Sequence, residues 1–171
     1  LALFGLAHHS KKKKIIVSAI EHASMKAPCE YLRSWGYTIV TLPVNSEGFI
    51  DFAQLEKEVD ENTLVVSVMH ANNVVGTLQD IGTIGTLCHK KNVLFHTDAA
   101  QSFGKERIDV RAMNIDLLSA SAHKIGGPKG IGILYVREGI NLGAAMFGGG
   151  QERGIRSGTE NVAGAVGFAT A

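Results

Sequence analysis

A lysine, an aspartate, a histidine and an amide, each set beside a different apolar run, are the residues of this chain best placed to do chemistry. His123 and Lys124 follow DLLSASA (116–122), Asp98 follows VLFHT (93–97), His22 follows IIVSAI (15–20), and Asn73 follows LVVSVMHA (64–71). A lysine amine beside a desolvated pocket forms a Schiff base with a carbonyl compound. The small residues of SASAH before it and IGGPKG after it leave room around Lys124. A carboxylate paired with a pyridinium nitrogen keeps that ring protonated and makes it an electron sink. A lysine and an aspartate placed this way describe pyridoxal 5'-phosphate.

Those four positions meet only if the runs lie side by side. Six short β-branched runs read as strands: the four above, YTIVTLPV (37–44) and GILYV (132–136). Helices are predicted between them at 24–35, with Ser24 as N-cap and Pro28 near the first turn, at 51–60 opening on Asp51, and at 80–91 ending in basic residues. Nearly continuous apolar strands imply burial on both faces, and their alternation with helices predicts an α/β fold with an open, mostly parallel sheet. In such sheets ligands bind beyond the carboxyl ends of the strands, where the four polar positions fall. The stretch 144–161 reads as a long loop with specific polar content.

Composition narrows the setting. Lys plus Arg number 17 against 16 Asp plus Glu, a net charge of +1 that gives no electrostatic reason to expect nucleic acid or an anionic membrane as partner. No apolar run approaches bilayer length and no secretory pattern opens the chain. Two cysteines, Cys29 and Cys88, make no disulfide framework, so a reducing, cytoplasmic setting is the default expectation. The opening LALFGLAHH is helical in character and the closing GAVGFATA reads as a helix cut short, so both ends are expected to be truncations.

Five blocks occur in order: EHASM (21–25), HANNVVG (70–76), HTDAAQSFGK (96–105), SASAHKIGGPKGIGILYV (119–136) and GGGQERGIRSGTEN (148–161). Together they resemble the cysteine desulfurase and selenocysteine lyase family, in the class V aminotransferase group with the type I pyridoxal-phosphate fold. The resemblance covers nearly the whole chain and implies that residues 1–171 are part of the large cofactor-binding domain, the small C-terminal domain being absent. It implies that Lys124 carries the cofactor and shuttles protons at the substrate carbon, and that Asp98 binds the pyridine nitrogen. Gln101 would bond the ring's phenolic oxygen, and His22 would stack on the ring and take part in acid–base steps. Asn73 would sit by cofactor and substrate, Ser121 and His123 would hold the phosphate, and Thr159 would reach the phosphate of a neighbouring subunit in a homodimer.

The implied activity removes sulfur from L-cysteine, leaving L-alanine and an enzyme persulfide that feeds a sulfur-acceptor protein for iron–sulfur cluster assembly or other transfer. The family's early phosphate-binding threonine loop would precede Leu1; its persulfide cysteine and its arginine for the substrate carboxylate would follow Ala171. Neither Cys29 nor Cys88 matches that nucleophile. Val74 stands where the family's NNE block has an acid, which affects a loop contact and leaves the Asn73 role intact. Other readings within the group are a selenocysteine lyase, an aminotransferase or a β-lyase.

Plainer readings exist for each residue. Lys124 alone is a solvated lysine, Asp98 and Gln101 are helix caps, His22 is a turn residue, Asn72-Asn73 is a turn, Ser121 is a half-buried strand residue, and Thr159 caps the last helix. HHSKKKK (8–14) reads as a solvated helix end, and both cysteines as packed on helices. His96 and Asp98, with His70, His89 and His123, suggest a metal-dependent hydrolase but lack a ligand spacing. An inactive structural fragment is the remaining alternative.

Overall fold

The computed structural model describes residues 1–171. In chain order the elements are α1 (Ala2–His9), β1 (Lys14–Ser18), α2 (Ala23–Ser34), β2 (Thr38–Leu42), α3 (Phe52–Glu58), β3 (Thr63–Ser67), α4 (Ile81–Lys90), β4 (Leu94–Asp98), β5 (Leu117–Ser121), β6 (Gly132–Val136) and α5 (Val162–Thr170). The strands form one sheet in the order β2-β1-β3-β4-β5-β6. Every pairing is parallel except β5 with β6. The expected α/β architecture and all six strands are present.

The apolar runs divide between two faces by strand alternation. Ile16, Val66, Phe95 and Leu118 meet α3 and α4 through Leu55, Ile81, Ile84 and Leu87. Ile15, Val17 and Val65 meet α1 and α2 through Leu3, Leu6, Met25, Cys29 and Leu32 on the other face. α4 approaches the 113–114 segment so closely that a Cβ at Gly85 would collide with the Met113 carbonyl. β3 is buried throughout, as double-faced coverage requires.

Several local expectations are corrected. β3 ends at Ser67, and Val68–Ala71 continue outside the strand; β2 stops at Leu42 before Pro43, which has no N–H to donate to a ladder. β4 reaches Asp98, so the aspartate is the last strand residue. Ser24 does not cap α2: His22 does, its side chain accepting from the Ser24 amide, and Pro28 lies inside the helix. Asn161, and not Thr159, caps α5. No α-helix follows β4 directly; turns do, so Asp98 and Gln101 cap none. β6 is exposed or half-buried along its length, because it is antiparallel at the sheet edge with one flank unpaired. Asp51 and Asp80 cap α3 and α4.

Candidate active site

The carboxyl ends of β1, β3, β4 and β5 open onto one edge, and hydrogen bonds fasten their loops to one another. The loop after β1 is tied to the loop after β3 twice: the Met69 amide donates to Glu21 Oε1 at 2.7 Å, and Asn72 Nδ2 donates to the Ile20 carbonyl at 2.9 Å. The His70 amide donates to the Asp98 carbonyl at 3.0 Å, and the Ala99 amide to the Ser119 carbonyl at 2.8 Å. Seven of the eight predicted site residues lie along this fastened edge: His22, Asn73, Asp98, Gln101, Ser121, His123 and Lys124. Thr159 stands apart, exposed in the loop before α5. α5 itself packs back toward the turns after β4, with Phe168 edge-on to Phe103 at 6.0 Å.

Each residue is held differently. The Ser24 amide donates to His22 Nδ1 at 3.2 Å, which leaves Nε2 as the ring nitrogen outside the cap. Asn73 is exposed, whereas its neighbour Asn72 is buried and accepts from the Val74 and Val75 amides at 2.9 and 3.0 Å. Asn72 thus holds the loop through backbone, and Val74 hangs 83% exposed without a side-chain role in it. Asp98, 8% exposed, accepts from the Ala100 amide through Oδ1 at 2.9 Å, with no donor on its second oxygen. Gln101 is half-buried with its amide free.

Beyond β5, Ala122–Ile125 form one 3₁₀ turn closed by Gly126 at φ +89, a left-handed conformation that favours glycine. Lys124 sits in this turn, half-buried, with its amine in no ion pair or hydrogen bond. Ser121 Oγ and His123 Nδ1 lie 2.8 Å apart.

Three buried groups carry weight: Glu21, which sequence reasoning missed, and His70 and His96, which it read only as candidate metal ligands. Glu21 is 3% exposed, and burial pushes its carboxyl up to about 7. His70 bonds Ser102 Oγ at 2.9 Å, and burial lowers its pKa. His96, fully enclosed, bridges Ser67 Oγ at 2.8 Å and Ser119 Oγ at 2.9 Å across β3, β4 and β5; desolvation lowers it to about 4. The only sequence signal for Glu21 is a charge placed directly after an apolar run. Both ring nitrogens of His96 are thus committed to core serines, and no three His, Cys, Asp or Glu side chains stand within metal-binding reach of one another. Both cysteines are buried with thiols raised, Cys29 to about 11 and Cys88 to about 12, chiefly by desolvation. Neither is poised to be a nucleophile.

The donor set fits pyridoxal phosphate: an uncommitted amine on a tight turn, a buried carboxylate with one oxygen free, and an uncommitted amide three residues on. Fold and residues together define a type I pyridoxal-phosphate enzyme domain. A sequence model described as aminotransferase class-V matches residues 1–171, and the chain belongs to that family. Among curated relatives, Cysteine desulfurase IscS of Clostridium botulinum is 47% identical over 172 residues, covering 99% of this chain and 43% of that protein. Cysteine desulfurase IscS of Tolumonas auensis is 50% identical over 163 residues, covering 93% of this chain and 40% of that protein. Among solved structures, a NifS-like protein superposes with a TM-score of 0.94 at 43% identity, covering 99% of this chain and 47% of that one. A structure described as SspA in complex with cysteine gives 0.95 at 43% identity, covering 99% and 50%. The chain thus spans less than half the length of the curated relatives it matches. No helix is long and apolar enough to cross a membrane.

Proposed function

We propose that the parent protein is a pyridoxal-phosphate-dependent cysteine desulfurase, and that residues 1–171 are part of its large cofactor-binding domain. The observation that carries this reading is the uncommitted, half-buried Lys124 amine on its glycine-closed turn, one strand away from buried Asp98. Two similarities support cysteine as substrate: relatives bear the name cysteine desulfurase, and a structure of like fold is described as holding cysteine.

Bound pyridoxal phosphate supplies an electron sink for the substrate's α-carbon. This chain's residues do the rest. Lys124 would hold the cofactor through its amine and would move protons at the substrate α-carbon. Asp98 holds a proton at the pyridine nitrogen through its free oxygen. Gln101 donates to the ring oxygen. His22, fixed by its own cap bond, would stack on the cofactor ring, and Asn73 would sit by cofactor and substrate. Ser121 and His123 bind phosphate; Thr159, exposed and uncommitted, serves the phosphate of a second subunit in a homodimer. The thiol that accepts sulfur and passes it to an acceptor protein, for iron–sulfur cluster assembly or related transfer, is assigned to another part of the parent protein, in a cytoplasmic setting.

Borohydride reduction of the complete, cofactor-loaded protein, followed by peptide mapping, tests the anchor. Label on Lys124, with alanine and sulfide formed from cysteine by unreduced enzyme, is the expected result. Label elsewhere, or pyruvate in place of alanine, overturns the reading.

A further inference from the structure

Glu21 is a buried carboxyl that none of these roles uses. Its Oε1 accepts from Ser18 Oγ at 2.6 Å and from the Met69 amide at 2.7 Å, while Oε2 is buried with no partner. An unpaired polar oxygen in the interior is costly, so a carboxyl is a poor choice for a merely structural clip here. The Glu21–Met69 bond and the Asn72–Ile20 bond are the two that fasten the turn bearing His22 to the loop bearing Asn73.

The charged and titratable groups that bear on Glu21 lie on two elements. Asp98 at the end of β4 favours its protonated form; Lys26 on α2 opposes this, and the Cys29 thiol on α2 is raised in turn by Glu21. Two carboxyls in one desolvated neighbourhood do not both ionise readily. Burial, more than Asp98, lifts Glu21 to about 7.

We propose that Glu21 is a positioning residue of the cofactor site, locking the His22 turn to the Asn73 loop and bearing the proton that leaves Asp98 the only anion there. The inference rests on Asp98 as partner of the pyridine nitrogen. With Glu21 Oε1 accepting both bonds, the proton sits on Oε2, and the orphaned oxygen is then a neutral hydroxyl, which is less costly to bury than a charged one.

The test uses the complete, cofactor-loaded protein with Glu21→Gln and Glu21→Ala variants, read by circular dichroism of the bound cofactor, by kcat and KM, and by amide exchange. Glu21→Gln keeps an acceptor for Met69 and has no charge to gain. It is expected to stay within about threefold of wild-type kcat in mild acid. It is also expected to lack the dichroism change and the fall in kcat expected of wild type as pH rises through about 7. Glu21→Ala frees the loop: kcat falls about tenfold with KM less affected, dichroism weakens, and exchange over residues 69–75 quickens. A Glu21→Gln pH profile identical to wild type overturns the proposal, as does a folded Glu21→Ala with wild-type dichroism and kcat. Should the alanine variant not fold, the glutamine variant decides alone. Dichroism and exchange do not depend on the substrate. A protein that binds cofactor but makes no alanine from cysteine sinks the functional reading and leaves this one to its own result.

Discussion

At the amino end of the parallel strands the buried or half-buried charged side chains, Lys14 and Asp116, are paired, whereas at the carboxyl end most such groups are not. Lys14, opening β1, reaches Glu58 Oε2 at 3.2 Å and Asp60 Oδ2 at 3.0 Å. Asp116, just before β5, accepts from the Phe95 amide at 2.7 Å and faces the Arg137 guanidinium just after β6. At the other end Lys124, Gln101 and Asn73 bond to nothing within the chain, and Asp98 and Glu21 each leave an oxygen free. One end spends its polar groups on holding strands together. The other keeps them available, and its loops are fastened through backbone amides and carbonyls so that the side chains stay uncommitted.

This contrast can be broken from either end. Lys124→Ala in the complete protein should abolish cofactor attachment and lower turnover by about three orders of magnitude, with the thermal midpoint of the cofactor-free protein unchanged. A large loss of stability in the cofactor-free variant would mean that Lys124 belongs to the fold after all. Asp116→Ala should do the reverse. It strands the buried Phe95 amide and costs about 2 kcal/mol in denaturant unfolding, with cofactor affinity and spectrum kept once folded. A changed cofactor spectrum would show that the two ends are coupled.

His96 lies between the two regimes and sharpens the comparison by pH. Its folded-state pKa, about 4, lies below the ordinary 6.5 because a charged ring would be desolvated. The unfolded chain therefore takes up the proton first, and stability fully present above 6.5 is lost as pH falls toward 4. Urea unfolding at a series of pH values should show this acid limb, and His96→Gln should flatten it while lowering stability at neutral pH through the lost serine bridge. The smallest effect is expected at Lys14→Met: about 1 kcal/mol or less, diminishing with added salt, since Glu58 and Asp60 are partly solvated. Thermal melts at low and high ionic strength measure it.

The sheet was legible because its inner strands are apolar on both faces, so IIVS, LVVS and LFHT read as strands without regard to their partners. Boundaries were less so. VMHA has strand composition but leaves the ladder after Ser67, because the loop turns to reach Glu21 and Asp98. Ser24 is a good N-cap by type, yet the tertiary path of the chain puts His22 at the cap. The exposure of β6 has no local signature, since it follows from which strand lacks a neighbour. For the site, position after a strand was enough to select Lys124, Asp98, His22 and Asn73. The roles of Gln101, Ser121, His123 and Thr159 came from family resemblance alone. Glu21 went unread, and His70 was read only as a candidate metal ligand, because burial of a polar side chain depends on which loops come together.

The strand order also bears on how the chain comes off the ribosome. Once β1 and β2 are paired, β3 adds to the open flank of β1, and β4, β5 and β6 each add to the strand made immediately before. None of these six strands has to be inserted between two earlier ones, so this part of the sheet can grow outward at the pace of synthesis. Lys124 is the last of the strand-end group to emerge. Its reactive amine is translated only after the strands bearing His22, Asn73 and Asp98 are available to receive it.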